Sequence, residues 1–112
     1  MADGIYFDGI EPLTAKLTQN MNLDAVKTVV KMNGSQLQQK AMQNAPVDTG
    51  NLKRSITLTF EDGGLTARIK ATAEYAPYVE WGTRFMNAQP YIRPAYDTQK
   101  GKFKSDLQKL TR

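Results

Sequence analysis

The chain contains no cysteine and no histidine. The first absence removes disulfides, thiolate metal sites and cysteine nucleophiles. The second removes the commonest general base and a frequent metal ligand. What is left for catalysis is carboxylate, lysine or tyrosine chemistry, or a magnesium or calcium ion held by carboxylates. No apolar run approaches the roughly 20 residues that span a bilayer, and the opening MADGIYFDG lacks the basic-then-apolar order of a signal peptide. The expectation is a protein made and kept in a cytosol, with no membrane partner and no cofactor. Internal repeats and low-complexity tracts are also missing.

What is present fits one ordinary domain spanning residues 1–112. At this length a chain buries roughly 65% of its unfolded surface, enough for one modest core. Hydrophobic residues make up 40% and charged residues 23% of the sequence, too apolar for a disordered chain. The net charge of +4 is uneven. Residues 98–112 carry Lys100, Lys102, Lys104, Lys109 and Arg112 against the single acid Asp106, so this segment alone accounts for the excess. Such a tail suits either a solvated helix face or non-specific contact with DNA phosphates.

Along the chain, Asp8-Gly9 marks a turn, and Glu11-Pro12 suits the start of a short helix running to about Thr18. Asn22 is a good cap for a long helix over about 23–44, with Leu23, Val26, Val30, Leu37 and Ala41 on one face. Asn33-Gly34 predicts a bend or break within it, since glycine costs a helix about 1 kcal/mol relative to alanine. Pro46 ends it. Asp48 or Thr49 then caps a single helical turn. At Ile56 the period changes from helix to strand: Ile56, Leu58 and Phe60, then Leu65, Ala67, Ile69 and Ala71, alternate with polar residues around Glu61-Asp62-Gly63-Gly64. That pattern predicts an antiparallel hairpin over about 55–71. Residues 74–84 predict an aromatic-rich helical turn ending at Gly82. A last helix over about 94–110 carries Tyr96, Phe103, Leu107 and Leu110 on one stripe. The fold class is α+β, with helices packed on one small antiparallel sheet.

Three constellations invite a chemical reading. Glu74 and Glu80 among aromatics would suit glycoside hydrolysis, but residues six apart lie on different faces of a helical turn, and a paired structural acid is the favoured reading. Gly50 with Lys53-Arg54 lacks the phosphate-loop fingerprint and reads as a capped turn. Tyr75, Tyr78, Trp81, Phe85 and Tyr91 beside Arg84 and Arg93 could stack nucleic-acid bases. They equally fill a core or a contact between subunits, the reading favoured here.

Three segments occur in a fixed order: Ala45-Pro46-Val47-Asp48-Thr49-Gly50-Asn51-Leu52-Lys53-Arg54-Ser55-Ile56, then Tyr75-Ala76-Pro77-Tyr78-Val79-Glu80-Trp81-Gly82-Thr83, then Gln89-Pro90-Tyr91-Ile92-Arg93-Pro94-Ala95. Together they resemble the tail-component family of long-tailed bacteriophages, whose members are also described as neck or head–tail joining proteins. The resemblance implies a structural, non-enzymatic virion protein assembled in the bacterial host cytoplasm. It would act as a homo-oligomeric ring between the portal end of the head and the tail, or complete the head-proximal tail end, beside other connector and tail proteins. No catalytic residue comes with it.

On that footing Tyr75, Tyr78, Glu80, Trp81, Arg84, Tyr91 and Arg93 are the expected oligomer or partner contact. The turn from Tyr75 to Trp81 and the segment from Pro90 to Pro94 are expected to pack as one block. Glu80 should be held by a cation, Arg54 or Arg93, because a carboxylate among aromatics is costly unless paired. Lys100, Lys102, Lys104, Lys109 and Arg112 are the expected contact with DNA in the lumen of the ring. The competing class is a small nucleic-acid-binding module that uses the same basic segment.

Overall fold

The computed structural model describes residues 12–15, 22–46, 50–84 and 87–110. Its elements are β1 (Leu13–Thr14), α1 (Leu23–Asn44), α2 (Gly50–Ser55), β2 (Ile56–Glu61), β3 (Thr66–Ala71), α3 (Ala76–Trp81) and α4 (Ile92–Lys109). The three strands form one antiparallel sheet in the order β1-β3-β2. This is the α+β architecture expected, with the long helix, the hairpin and the C-terminal helix within a residue or two of their predicted bounds.

The hairpin register places Ile56 opposite Ala71, Leu58 opposite Ile69 and Phe60 opposite Ala67, so the apolar set of both strands shares one face. The reversal is made by a 3₁₀ turn over Asp62–Gly64, in which Asp62, Gly63 and Gly64 all take positive φ. Glycine at two of those positions removes the Cβ clash that such a backbone imposes.

Two expectations fail. The helix predicted from Glu11-Pro12 is overturned where the structure describes it: Leu13–Thr14 is a strand, pairing with Ala67 and Thr66 of β3. The pairing gains a buried Leu13 and a third strand, which outweighs proline's suitability for a first helical turn. Residues 16–18 of that proposed helix, and the Asp48 or Thr49 cap, lie outside the described residues. The second failure is the break at Asn33-Gly34, because α1 runs unbroken through it. Gly34 serves a different purpose. A Cβ there would stand 2.8 Å from the Cβ of Ala67 and 3.2 Å from Cδ1 of Leu58, so the missing side chain lets the helix lie directly on the sheet.

Helix α1 crosses the sheet and turns Val26, Val30, Leu37 and Ala41 into the core, whereas Leu23 is exposed. Helix α4 packs along α1 and buries Ile92, Ala95, Tyr96 and Phe103. Between the two helices lies a polar seam. Gln99 donates to Asn33 Oδ1 (2.5 Å) and Gln36 Oε1 (2.9 Å), and Asn33 donates to Asp106 Oδ2 (3.1 Å). Buried polar groups of this kind fix a helix pair in one register, because any slide strands them without partners.

Candidate functional site: a clamped aromatic block

The site is built around Glu80, whose side chain is buried at the end of α3. Its Oε1 accepts the backbone N–H groups of Tyr91 (3.1 Å) and Ile92 (2.9 Å), and its Oε2 accepts that of Arg93 (3.0 Å). These are the orphan donors at the start of α4. The fourth position, Pro94, has no N–H to satisfy. Tyr91 sits at the N-cap without a side-chain cap of its own. A carboxylate eleven residues upstream therefore caps the helix, with its charge at the favourable end of the macrodipole.

The cation expected for Glu80 gives way to this arrangement. Arg93 meets Glu80 through its backbone N–H, while its guanidinium lies 3.8 Å from Asp97 on the surface. Arg54 donates to Asn51 at 2.6 Å within α2. Three charge-assisted amide bonds do what a guanidinium was expected to do, and they avoid burying a second charge.

Further bonds close the block. The Tyr91 hydroxyl donates to the carbonyl of Ala76 (3.3 Å), the N–H of Gln89 to the carbonyl of Val79 (2.8 Å), and Nδ2 of Asn44 to the carbonyl of Tyr91 (3.3 Å). Tyr91 thereby ties the ends of α1, α3 and α4 together. Burial, and then the negative charge of Glu80 and the neighbouring Tyr75, push its phenol well above the ordinary tyrosine range. Gly82, at φ 77°, ends α3 and carries the chain away from it.

The seven residues expected to form a contact thus divide. Glu80 and Tyr91 are fully buried and Tyr75 is half-buried, so these three belong to the inside of the block. Tyr78 (55% exposed) and Trp81 (49%), with Arg84 and Arg93, are on the outside. Two large aromatics left exposed beside two arginines match the composition of interface hot spots. Phe85 lies outside the described residues.

The basic segment divides as well. On an α-helix of about 100° per residue, Lys100 and Lys104 lie roughly 40° apart on one flank, and Lys102 and Lys109 on the other. Lys102 (2.8 Å) and Lys109 (3.9 Å) both pair with Asp106. Hydrogen bonds from Lys102 and Asn33 hold the Asp106 carboxyl below its usual range, with the charges of Lys102 and Lys109 adding to them. Lys100 stands 5.9 Å from the ring centre of Tyr96. Together with Lys104 it borders a shallow groove between β1 and α4, floored by Leu13, Tyr96, Phe103 and Leu107. Arg112 lies outside the described residues. No helix among those residues is long and apolar enough to cross a membrane.

The sequence held one signal for the Glu80 clamp: Gln89-Pro90-Tyr91 offers no Ser, Thr, Asp or Asn to cap α4, so an acceptor must come from elsewhere. The Asn33–Gln99 seam had none, because Asn33 next to Gly34 reads as a turn.

No curated protein and no solved structure matches the chain. Residues 11–82 match the family described as "Bacteriophage HK97-gp10, putative tail-component". The match takes in β1 through α3, Glu80 included, and covers well over half of the sequence. The chain belongs to this HK97-gp10-like family of bacteriophage tail components.

Proposed function

We propose that the chain is the subunit of a ring in the neck of a tailed phage or at the head-proximal end of its tail, and that Tyr78, Trp81, Arg84 and Arg93 dock it to a neighbouring virion protein. Membership of the tail-component family makes it a structural phage protein. The observation that carries the finer reading is the Glu80 clamp. A short surface helix of six residues has little stability of its own. Here it is fastened to the first turn of α4 and to the end of α1, so Tyr78 and Trp81 are presented on a rigid base. Rigid aromatic anchors lose little entropy on binding, which is what a permanent assembly contact requires.

The test is a phage carrying Tyr78→Ala and Trp81→Ala. Each side chain is about half exposed, so each substitution should cost about 1–3 kcal/mol of stability, less than the loss of a fully buried aromatic, and the purified variant should still fold. Particle yield should nevertheless collapse, with heads and tails accumulating unjoined in electron micrographs. Normal yield of joined particles would refute the assignment of this surface. Lumenal DNA contact by Lys100, Lys102, Lys104, Lys109 and Arg112 is the second element of the proposal. Replacing them by glutamine should weaken DNA retention in the particle and remove its salt-sensitive part, and unchanged retention removes that element.

A further inference from the structure

Among the described residues, the sheet has two open edges whose hydrogen-bonding groups are complementary. Thr72 donates to the carbonyl of Ser55, so Thr57, Thr59 and Glu61 aim their backbone groups at β3, while Ile56, Leu58 and Phe60 aim theirs outward. Ala15 donates to the carbonyl of Leu65, so Leu13 and Ala15 face β3, while Thr14 and Pro12 face outward. Among the described residues, the only hydrogen bond to these outward groups is from Gln38 Nε2 to the carbonyl of Ile56 (3.0 Å).

Resting on the ring reading above, we infer that copies join head to tail through these edges, β2 of one against β1 of the next. Both strands run antiparallel to β3, so they run parallel to each other, and a sheet continued from copy to copy pairs them in parallel. With Thr14 opposite Thr59, the N–H of Thr14 donates to the carbonyl of Leu58, and its carbonyl accepts the N–H of Phe60. The carbonyl of Pro12 accepts the N–H of Leu58. The ladder position that remains pairs proline, which has no N–H, with the carbonyl of Ile56, which Gln38 already satisfies. Over residues 12–14 every outward donor and acceptor has a partner in this register.

The faces agree too. Thr14 and Thr59 both lie on the face away from the helices, whereas Leu58 and the 43% exposed Phe60 lie on the helix side. There Phe60 would enter the apolar groove beside Leu13 on the next copy. The contact is heterologous, the kind that closes into rings, and it leaves Tyr78 and Trp81 for a different neighbour.

One feature of the joint is unfavourable and testable. Lys27 and Lys31 flank Phe60, and Lys100 and Lys104 flank the receiving groove, so like charges meet across it. Salt should therefore strengthen the joint.

Because the chain has no cysteine, Thr14→Cys with Thr59→Cys makes a clean test. Within one copy these positions lie two strand spacings apart, about 10 Å, beyond the reach of a disulfide. Particles assembled with the double variant and mildly oxidised should give a ladder of disulfide-linked oligomers on a non-reducing gel. Either single variant should give none. In solution, ladder yield should rise several-fold as ionic strength increases. If particles contain a ring of this protein but no ladder forms, the edge joint is wrong and the ring stands. If imaging shows no ring at all, the ring reading fails, and the joint with it.

Discussion

Replacing Glu80 by glutamine exchanges one carboxylate oxygen for an NH₂ group and isolates the clamp. The carbonyl oxygen of glutamine can still accept the N–H groups of Tyr91 and Ile92, but without charge assistance. Its NH₂ group then faces the N–H of Arg93, donor against donor, where a 3.0 Å bond had been. Losing that bond at a buried site costs about 1–3 kcal/mol, and weakening the other two adds about 1 kcal/mol or more. The smaller desolvation cost of a neutral side chain offsets part of this, leaving a loss of about 2–4 kcal/mol. For a domain of this size, 1 kcal/mol shifts the midpoint by roughly 4–6 °C, so thermal unfolding followed by circular dichroism should show a drop of roughly 10–20 °C. Glu80→Ala should lose more, because it strands all three amides and leaves a cavity. Below the lowered midpoint, the variant should fold yet join heads to tails poorly, because its aromatic anchors are no longer fixed. A midpoint within about 4 °C of the parent, together with normal assembly, would refute the reasoning.

Other outcomes follow from the same structure. Gly34→Ala should lower stability despite alanine's better helix propensity, because its Cβ would press on Ala67; Gly101→Ala, with nothing within 4 Å, should raise it by about 0.5–1 kcal/mol, both read by urea denaturation. The folded state holds the Asp106 carboxyl below its unfolded value, so the stability it adds is present above about pH 4 and is lost as pH falls further; Asp106→Asn should remove that part of the acid limb from unfolding curves. The Tyr91 phenol is shifted the other way, so stability should begin to fall as pH rises past about 10, and Tyr91→Phe should flatten that alkaline limb while losing about 1 kcal/mol at neutral pH.

The sequence made legible whatever depends on period. Alternation from Ile56 to Ala71 gave the hairpin and its buried face, and spacing from Val26 to Ala41 gave the long helix and its core side. Features set by tertiary partners stayed hidden. Leu13–Thr14 is a strand only because β3 offers it an edge, and two residues carry no period of their own. Gly34 reads as a helix breaker until the sheet is seen lying against it. Glu80 could be read as a buried acid in need of a partner, but not as a helix cap, since its donors sit eleven residues away in an element whose first turn carries no capping signature.

The division of the basic segment alters what the +4 charge can mean. As sequence, Lys100 to Arg112 is a single cationic run. On α4 it becomes two flanks with different duties: Lys102 and Lys109 share Asp106 and help hold α4 to α1, while Lys100 and Lys104 border the groove at the β1 edge. The proposed joint between copies thus draws on Lys100 and Lys104 and leaves Lys102 and Lys109 out of it. Lys102→Gln should cost stability through Asp106 and Asn33, with little effect on the edge joint. Lys104→Glu should leave the fold intact and tighten that joint at low ionic strength, since it would face Lys27 and Lys31 of the next copy. If Lys104→Glu instead loosens the oligomer at low ionic strength, the edges do not meet in the proposed register.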